Sequence, residues 1–231
     1  MKYLLFIFLS IYTSVFSQDL SEKKILEYYQ HVALNEEFEE KKQRIKKWTS
    51  DINIYCEGKW NSELHKELQV IIKDLSPLIG KIKINIVKSK TKSNFTVFIG
   101  SPDDYVSKIE PKAKDKVATN FGLFFIYWDQ NKRIFKGSMY VDPKRAETLR
   151  WQKHLLREEL TQSLGLMNDS LEYKDSIFYE LYSHTTSFSE LDKILIKLQY
   201  SKFIRPNMTK KDVKRILELQ NLIPKVKKSL K

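Results

Sequence analysis

Residues 151–170 read WQKHLLREELTQSLGLMNDS and show a strong helical periodicity. At 100° per residue, a stripe of leucines repeats along one side of such a helix and would be buried against a sheet. The stripe consists of Leu149, Leu156, Leu160 and Leu164, with Leu155 and Glu159 on its flank. Gly165 follows, and glycine accepts the left-handed turn that ends many helices. The pattern predicts an amphipathic helix over residues 146–166 that packs beneath a sheet.

Polar side chains occupy the opposite side of this predicted helix. The residues on this side are Trp151, His154, Glu158, Thr161, Gln162 and Gly165. His154, Glu158 and Gln162 have the spacing i, i+4, i+8, so their side chains line up one above another. A purely structural helix does not need such a row. We therefore predict that this side faces an open groove with two acids and an amide at its floor.

The run EELTQSLGL, from Glu158 to Leu166, resembles the HELxHxLGL helix of zincin metallopeptidases with both histidines replaced. The resemblance puts Glu158 and Gln162 at the positions of the two metal-binding histidines, and Glu159 at that of the general base. Asn168 falls at the spacing of a third ligand, and Asp169 comes directly after it. The implied metal ligands are Glu158, Gln162 and Asp169, with His154 or His184 as alternatives.

A longer resemblance extends over most of the chain. The segments REELTQSLGLMNDS, SIFYELYSHTT and KFIRPNMTKKDV are similar to an uncharacterised bacterial family of exported, zincin-like proteins. The resemblance implies an α/β (α+β) fold of the zincin type, in which a mixed twisted sheet with an antiparallel edge hairpin covers a central active-site-type helix. The C-terminal half of the chain would be helical.

The replaced histidines leave two functions open. Imidazole and thiolate hold zinc best, whereas carboxylate and amide oxygens suit harder cations, so zinc affinity should be low. One hypothesis is a degenerate metallopeptidase-type domain that binds a peptide or a cell-envelope ligand in its cleft. The other is a metal-dependent peptidase or amidohydrolase with an oxygen-rich divalent site, in which Glu159 acts as general base.

The same residues also admit an interpretation without any cofactor. Glu158 or Glu159 would pair with Arg157 or another basic side chain, and Gln162 would satisfy backbone groups of the following loop. Asn168 and Asp169 would cap a turn.

The N-terminus predicts export to the periplasm or secretion from the cell. Lys2, an apolar run from Tyr3 to Ile11 and a small-residue cleavage pattern before Gln18 are typical of a signal peptide. Removal of the first 17 of 231 residues leaves 214, enough for one domain with a substantial core. The rest of the chain contains no apolar run long enough to span a bilayer. The oligomeric state cannot be deduced from the sequence.

The chain is basic, with 41 Lys and Arg against 29 Asp and Glu and a net charge of +12. The lysines are scattered, which is typical of a solvated surface and argues against nucleic acid as a partner. An acidic wall polymer or an anionic membrane surface fits an exported basic protein better. A third functional hypothesis is an inhibitor or assembly factor that acts through this basic surface, and its binding would be sensitive to salt.

The remaining patterns place the other elements around the motif helix. Residues 18–50 read as one or two helices, 51–142 as sheet and helix, and 170–231 as helices. The apolar run 121–128 predicts a strand at the centre of the sheet. Residues 133–142 return antiparallel to it and are expected to form the sheet edge, which would accept a peptide by strand addition. The peptide-binding residues would be Lys136, Gly137, Ser138, Met139 and Tyr140, together with Asn168.

Overall fold

A computed structural model describes residues 20–34, 43–181, 183 and 185–231. The predicted signal peptide at residues 1–17 and the candidate ligand His184 lie outside these ranges. No helix within them is both long and apolar enough to cross a membrane.

The first two thirds of the described chain contain both helices and strands, and the last third contains helices and no named strand. The α-helices are α1 Glu22–Leu34, α2 Ser62–Leu75, α3 Pro102–Lys108, α4 Leu149–Gln162, α5 Glu190–Gln199, α6 Lys210–Leu219 and α7 Leu222–Lys228. The strands are β1 Lys47–Trp48, β2 Ile52–Gly58, β3 Ile84–Ile86, β4 Phe95–Ile99, β5 Gly122–Trp128 and β6 Arg133–Val141.

The strands form one mixed, mostly parallel sheet. Strands β3, β2, β4 and β6 lie side by side in that order and are parallel. The two-residue strand β1 pairs with the start of β6, also in parallel. Strand β5 pairs antiparallel with β6. The predicted helical segment 18–50 is therefore wrong at its end, because Trp48 lies in a strand, where its indole is fully buried and donates to the Ser163 carbonyl.

The positions predicted for β5 and β6 in the sheet are wrong. Gly137 of β6 lies opposite Phe95 of β4 on one side and opposite Ile126 of β5 on the other. Lys136 to Tyr140 are thus internal to the sheet and are not available for strand addition. Strand β5 is the outer one, because β6 is the one strand with which it pairs among the described residues.

Helix α4 is the predicted motif helix, but it begins at Leu149 rather than at residue 146. Thr148 is its N-cap, and the Thr148 side chain accepts a hydrogen bond from the Trp151 backbone N–H. The later leucines of the stripe, Leu156, Leu160 and Leu164, are completely buried. Leu149 is 39% exposed, because it lies in the first turn, beyond the reach of the core. Past the helix, Gly165 has a φ of +99°.

The buried side-chain amide of Gln199 connects the end of α4 to helices α1 and α5. Gln199 of α5 accepts a hydrogen bond from the Tyr29 hydroxyl of α1 and donates to the carbonyls of Lys46 and Gly165. The oxygen and the nitrogen of this amide therefore both form hydrogen bonds, although the side chain is fully buried. The contacts fix the turn after α4 relative to α1 and α5.

Candidate functional site

His154 is buried on the polar side of α4 and uses both ring nitrogens. Nδ1 lies 2.7 Å from the carbonyl oxygen of Thr185, and Nε2 lies 3.3 Å from Oε2 of Glu158. Burial alone lowers the pKa of His154, but the hydrogen bond and charge of Glu158 outweigh it, and the net pKa is raised. An imidazolium that donates from both nitrogens fits these two oxygen partners.

The side chains of Gln162 and Asp169 contact each other close to His154 and Glu158. Nε2 of Gln162 donates to Oδ1 of Asp169 at 2.5 Å. Asp169 is exposed when the whole residue is considered, but its carboxyl group is largely surrounded by protein atoms. Desolvation there, followed by the charges of Glu158 and Glu180, raises the pKa of Asp169 to about 7. The amide of Gln162 therefore faces the acids with its NH₂ group.

Glu159 lies between α4 and the first residue of β5. The residue is 7% exposed, and its side chain makes no hydrogen bond or ion pair with any described residue. Burial, and then the charges of Glu158 and Asp169, raise its pKa well above the ordinary value. A methyl group on Gly122 would lie only 2.6 Å from Oε1 of Glu159. Glycine at position 122 is thus required for the carboxyl group to fit under the strand.

Five of the predicted site residues come together in the structure: His154, Glu158, Glu159, Gln162 and Asp169. The side of α4 that bears them is neither packed against apolar groups nor fully open, since Glu158 is partly exposed and the others on the helix are buried. Sequence reasoning missed Gly122 and Thr185. A glycine within a strand pattern, which often marks a close approach, was the available signal for Gly122.

The other predicted site residues serve different contacts. Nδ2 of Asn168 donates to the Val32 carbonyl of α1, which ties the loop to the first helix. In β6, Ser138 forms a buried hydrogen bond with the Tyr105 hydroxyl, and Tyr140 packs in the same small cluster.

Arg157 does not neutralise the acids of the site. Its guanidinium is 1% exposed and points to the opposite side of α4, where it pairs with Glu67 at 3.1 Å and Asp74 at 2.8 Å. Arg157 therefore does not pair with Glu158 or Glu159, and the basic side chain that contacts Glu158 is His154. No Lys or Arg within the described ranges forms an ion pair with Glu158, Glu159 or Asp169.

Comparisons with known proteins identify the family of this chain. Residues 22–219 match the family described as "Protein of unknown function (DUF2927)". The chain belongs to the DUF2927 family. It is similar to the crystal structure of an archaemetzincin from Methanopyrus kandleri, with 11% identity and a TM-score of 0.35 over 74% of this chain and 96% of that one. A comparison with curated proteins finds no match.

The residues of this DUF2927 chain do not fit the zinc ion that its zincin-like motif implies. No group of three His, Cys, Asp or Glu side chains in the described part of the chain is arranged to hold a metal ion. Both nitrogens of His154 face oxygen atoms, and Gln162 presents its NH₂ group to Asp169. Nitrogens that donate hydrogen bonds to oxygen atoms do not offer lone pairs to a metal.

The unpaired carboxyl of Glu159 should destabilise the fold at neutral and higher pH. Its raised pKa means that its contribution to stability is present below the unfolded value of 4.5 and is lost as pH rises through the folded value. Glu159→Gln is expected to raise the free energy of unfolding at pH 8 by about 1 kcal/mol, with a smaller gain at pH 5.

Urea unfolding at the two pH values measures this effect. Glu218→Gln, at an exposed position of α6, is the matched control and should change stability little at either pH. An equal effect of the two substitutions, or a larger Glu159→Gln gain at pH 5, would contradict the assignment of Glu159 as a buried, unpaired acid.

Proposed function

We propose that this protein is an exported peptide-binding domain of degenerate metallopeptidase type, which adds an extended peptide to the outer edge of β5 above α4. The ligand is a peptide segment of a protein or of a cell-envelope component. The observation that carries the proposal is the unpaired edge of β5 beside the polar side of α4. The zincin-like motif and the predicted signal peptide support it from the sequence.

The backbone of β5 directs alternate hydrogen-bonding groups away from the sheet. The Asp142 N–H donates to the Phe121 carbonyl, which fixes the phase of the antiparallel pair. The backbone groups of Gly122, Phe124 and Ile126 therefore point outward. An unpaired strand edge is a template for a further strand, in which main-chain hydrogen bonds provide affinity and side-chain contacts select the sequence.

A groove continues from the start of β5 and provides space for a longer ligand. It has a volume of about 1100 Å³, and its lining includes Phe121 before β5 and Trp151 on α4. These two rings contact each other with centroids 5.1 Å apart. Concave surfaces with aromatic walls are typical of ligand sites. A peptide along β5 would pass over Glu159 and enter this groove.

The alternative function is a metal-dependent peptidase or amidohydrolase with Glu159 as general base. The position of Glu159 favours it, because this carboxyl is buried, unpaired and next to the edge strand. A raised pKa suits a general base. The hydrogen bonds of His154 and Gln162 favour the binding function instead, because they occupy the groups that would hold the metal.

Proline substitution tests strand addition. Ile126→Pro removes one outward N–H of β5 and leaves the hydrogen bonds to β6 in place. When the mature protein is used to select from a displayed library of random nonapeptides, wild type is expected to enrich a set of sequences at least tenfold over Ile126→Pro. N-methylation of a selected peptide should weaken binding at every second position.

Ile86→Pro on β3 is the matched control. The Val87 N–H donates to the Ile54 carbonyl, so the Ile86 N–H points away from β2 at the other edge of the sheet. Selection by this variant should equal that of wild type. No enrichment by wild type, or equal loss in both variants, would refute peptide addition at β5.

A further inference from the structure

Three acidic side chains form the floor of the site in a basic protein. The charge of Glu158 raises the pKa of both Glu159 and Asp169, and the charge of Glu180 raises that of Asp169 further. His154 is the one cationic side chain in contact with them among the described residues. Although the chain has a net charge of +12, no Lys or Arg among the described residues forms an ion pair with these acids.

Glu159 supplies an observation that is independent of this clustering. A carboxylate that is more than nine-tenths buried is normally paired or hydrogen-bonded, because desolvation without a partner is unfavourable. Glu159 has no such partner, and Arg157 of the same helix turn is held by Glu67 and Asp74. A ligand can supply the partner that the described residues do not provide.

The geometry points to a cationic side chain of the bound peptide, Lys or Arg, as that partner. This inference rests on the proposed function, since it identifies the ligand class for peptide addition at β5. A metal ion fits the position less well, because the neighbouring His154 and Gln162 present N–H groups that repel a cation at ligand distance. An ammonium or guanidinium on a long stem keeps its distance from these groups and still reaches the carboxylates.

The register of β5 places the cation at one position of the peptide. Side chains on neighbouring strands share a face when they lie opposite each other. The hypothetical methyl group of Gly122 points at Glu159, so the peptide residue opposite Gly122 also projects toward α4. Since Gly122 has no side chain, the Glu159 carboxyl lies directly beside the strand at this position. The Lys or Arg is therefore expected opposite Gly122.

The nonapeptide library tests the inference separately from strand addition. Sequences enriched by wild-type protein should contain Lys or Arg at one position in most clones, and Glu158→Gln should abolish that preference while enrichment itself continues. Glu218→Gln on α6 is the control and should keep the preference. A synthetic peptide with Lys at that position is expected to bind at least tenfold more tightly than its norleucine analogue at low salt.

Each outcome has a defined meaning. Enrichment that depends on the β5 edge but shows no Lys or Arg preference would overturn the inference and leave the proposed function intact. No enrichment at all would refute both. Calorimetry with Ca²⁺ and Zn²⁺ alone provides a second test: stoichiometric binding of either ion that is lost in Glu158→Gln would assign the floor to a metal and overturn the inference.

Discussion

Replacement of Arg157 by methionine is expected to lower the free energy of unfolding by about 3–5 kcal/mol. The guanidinium of Arg157 is 1% exposed and holds Glu67 and Asp74 of α2 against α4. Methionine preserves much of the aliphatic stem and its contact with Phe188, over which the guanidinium lies at 4.8 Å. The loss would therefore come from the buried Glu67 carboxylate, which would keep only the more distant Lys153 ammonium at 4.0 Å. Urea unfolding with far-UV circular dichroism measures it.

Lys214→Met provides the control for this prediction. Lys214 pairs with Glu218 at 3.9 Å on the surface of α6, and both side chains are about 60% exposed. Exposed pairs of this kind contribute about 0–1 kcal/mol. If Arg157→Met were no more destabilising than Lys214→Met, the buried ion pair between α2 and α4 would not stabilise the fold.

Gly165→Ala should also destabilise the protein strongly, by about 3 kcal/mol. Two effects add at this residue. Its φ of +99° is unfavourable for any side chain, and a methyl group would lie 2.0 Å from the Lys46 carbonyl oxygen. Relief of that contact requires the turn after α4 to move away from residue 46, which would break the hydrogen bonds from Gln199 to both carbonyls. The unfolding midpoint in urea measures the loss.

Gly80→Ala separates the two effects. Gly80 also has a positive φ, +73°, but a methyl group there would meet nothing closer than the Tyr200 carbonyl at 3.4 Å. This substitution retains the conformational strain without the clash, and a loss of about 1–2 kcal/mol is expected. Equal losses at the two glycines would show that steric overlap at Gly165 is relieved freely.

The motif helix could be predicted from the sequence because its signals are local. Helical spacing of Leu156, Leu160 and Leu164 identified the buried side, and these side chains are fully buried. The spacing of His154 and Glu158 likewise predicted their contact. Leu149 was assigned to the same stripe, but the sequence does not show where the helix extends past the core. The partner of Arg157 was missed because Glu67 and Asp74 lie 83 to 90 residues away along the chain.

The edge of the sheet was misjudged for a different physical reason. Residues 121–128 are apolar because both faces of β5 are covered: Phe124 and Ile126 pack on the main core, and Leu123 and Phe125 pack on a second cluster around Tyr105. The hydrophobicity of a strand indicates whether its two faces are covered by other parts of the protein. It contains no information on whether the hydrogen-bonding edge of the strand has a neighbour, so a continuous apolar run does not distinguish an outer strand from a central one.

The connection between Tyr29 and Gln199 affects the order in which the molecule is assembled. These side chains are separated by 170 residues, and Tyr28 reaches Ser176 across 148. Contacts of such long sequence separation require closure of large loops and slow the search for the native topology. The first helix therefore has no stable partners while the chain is still being synthesised. The polypeptide would reach its final state only after α5 has emerged.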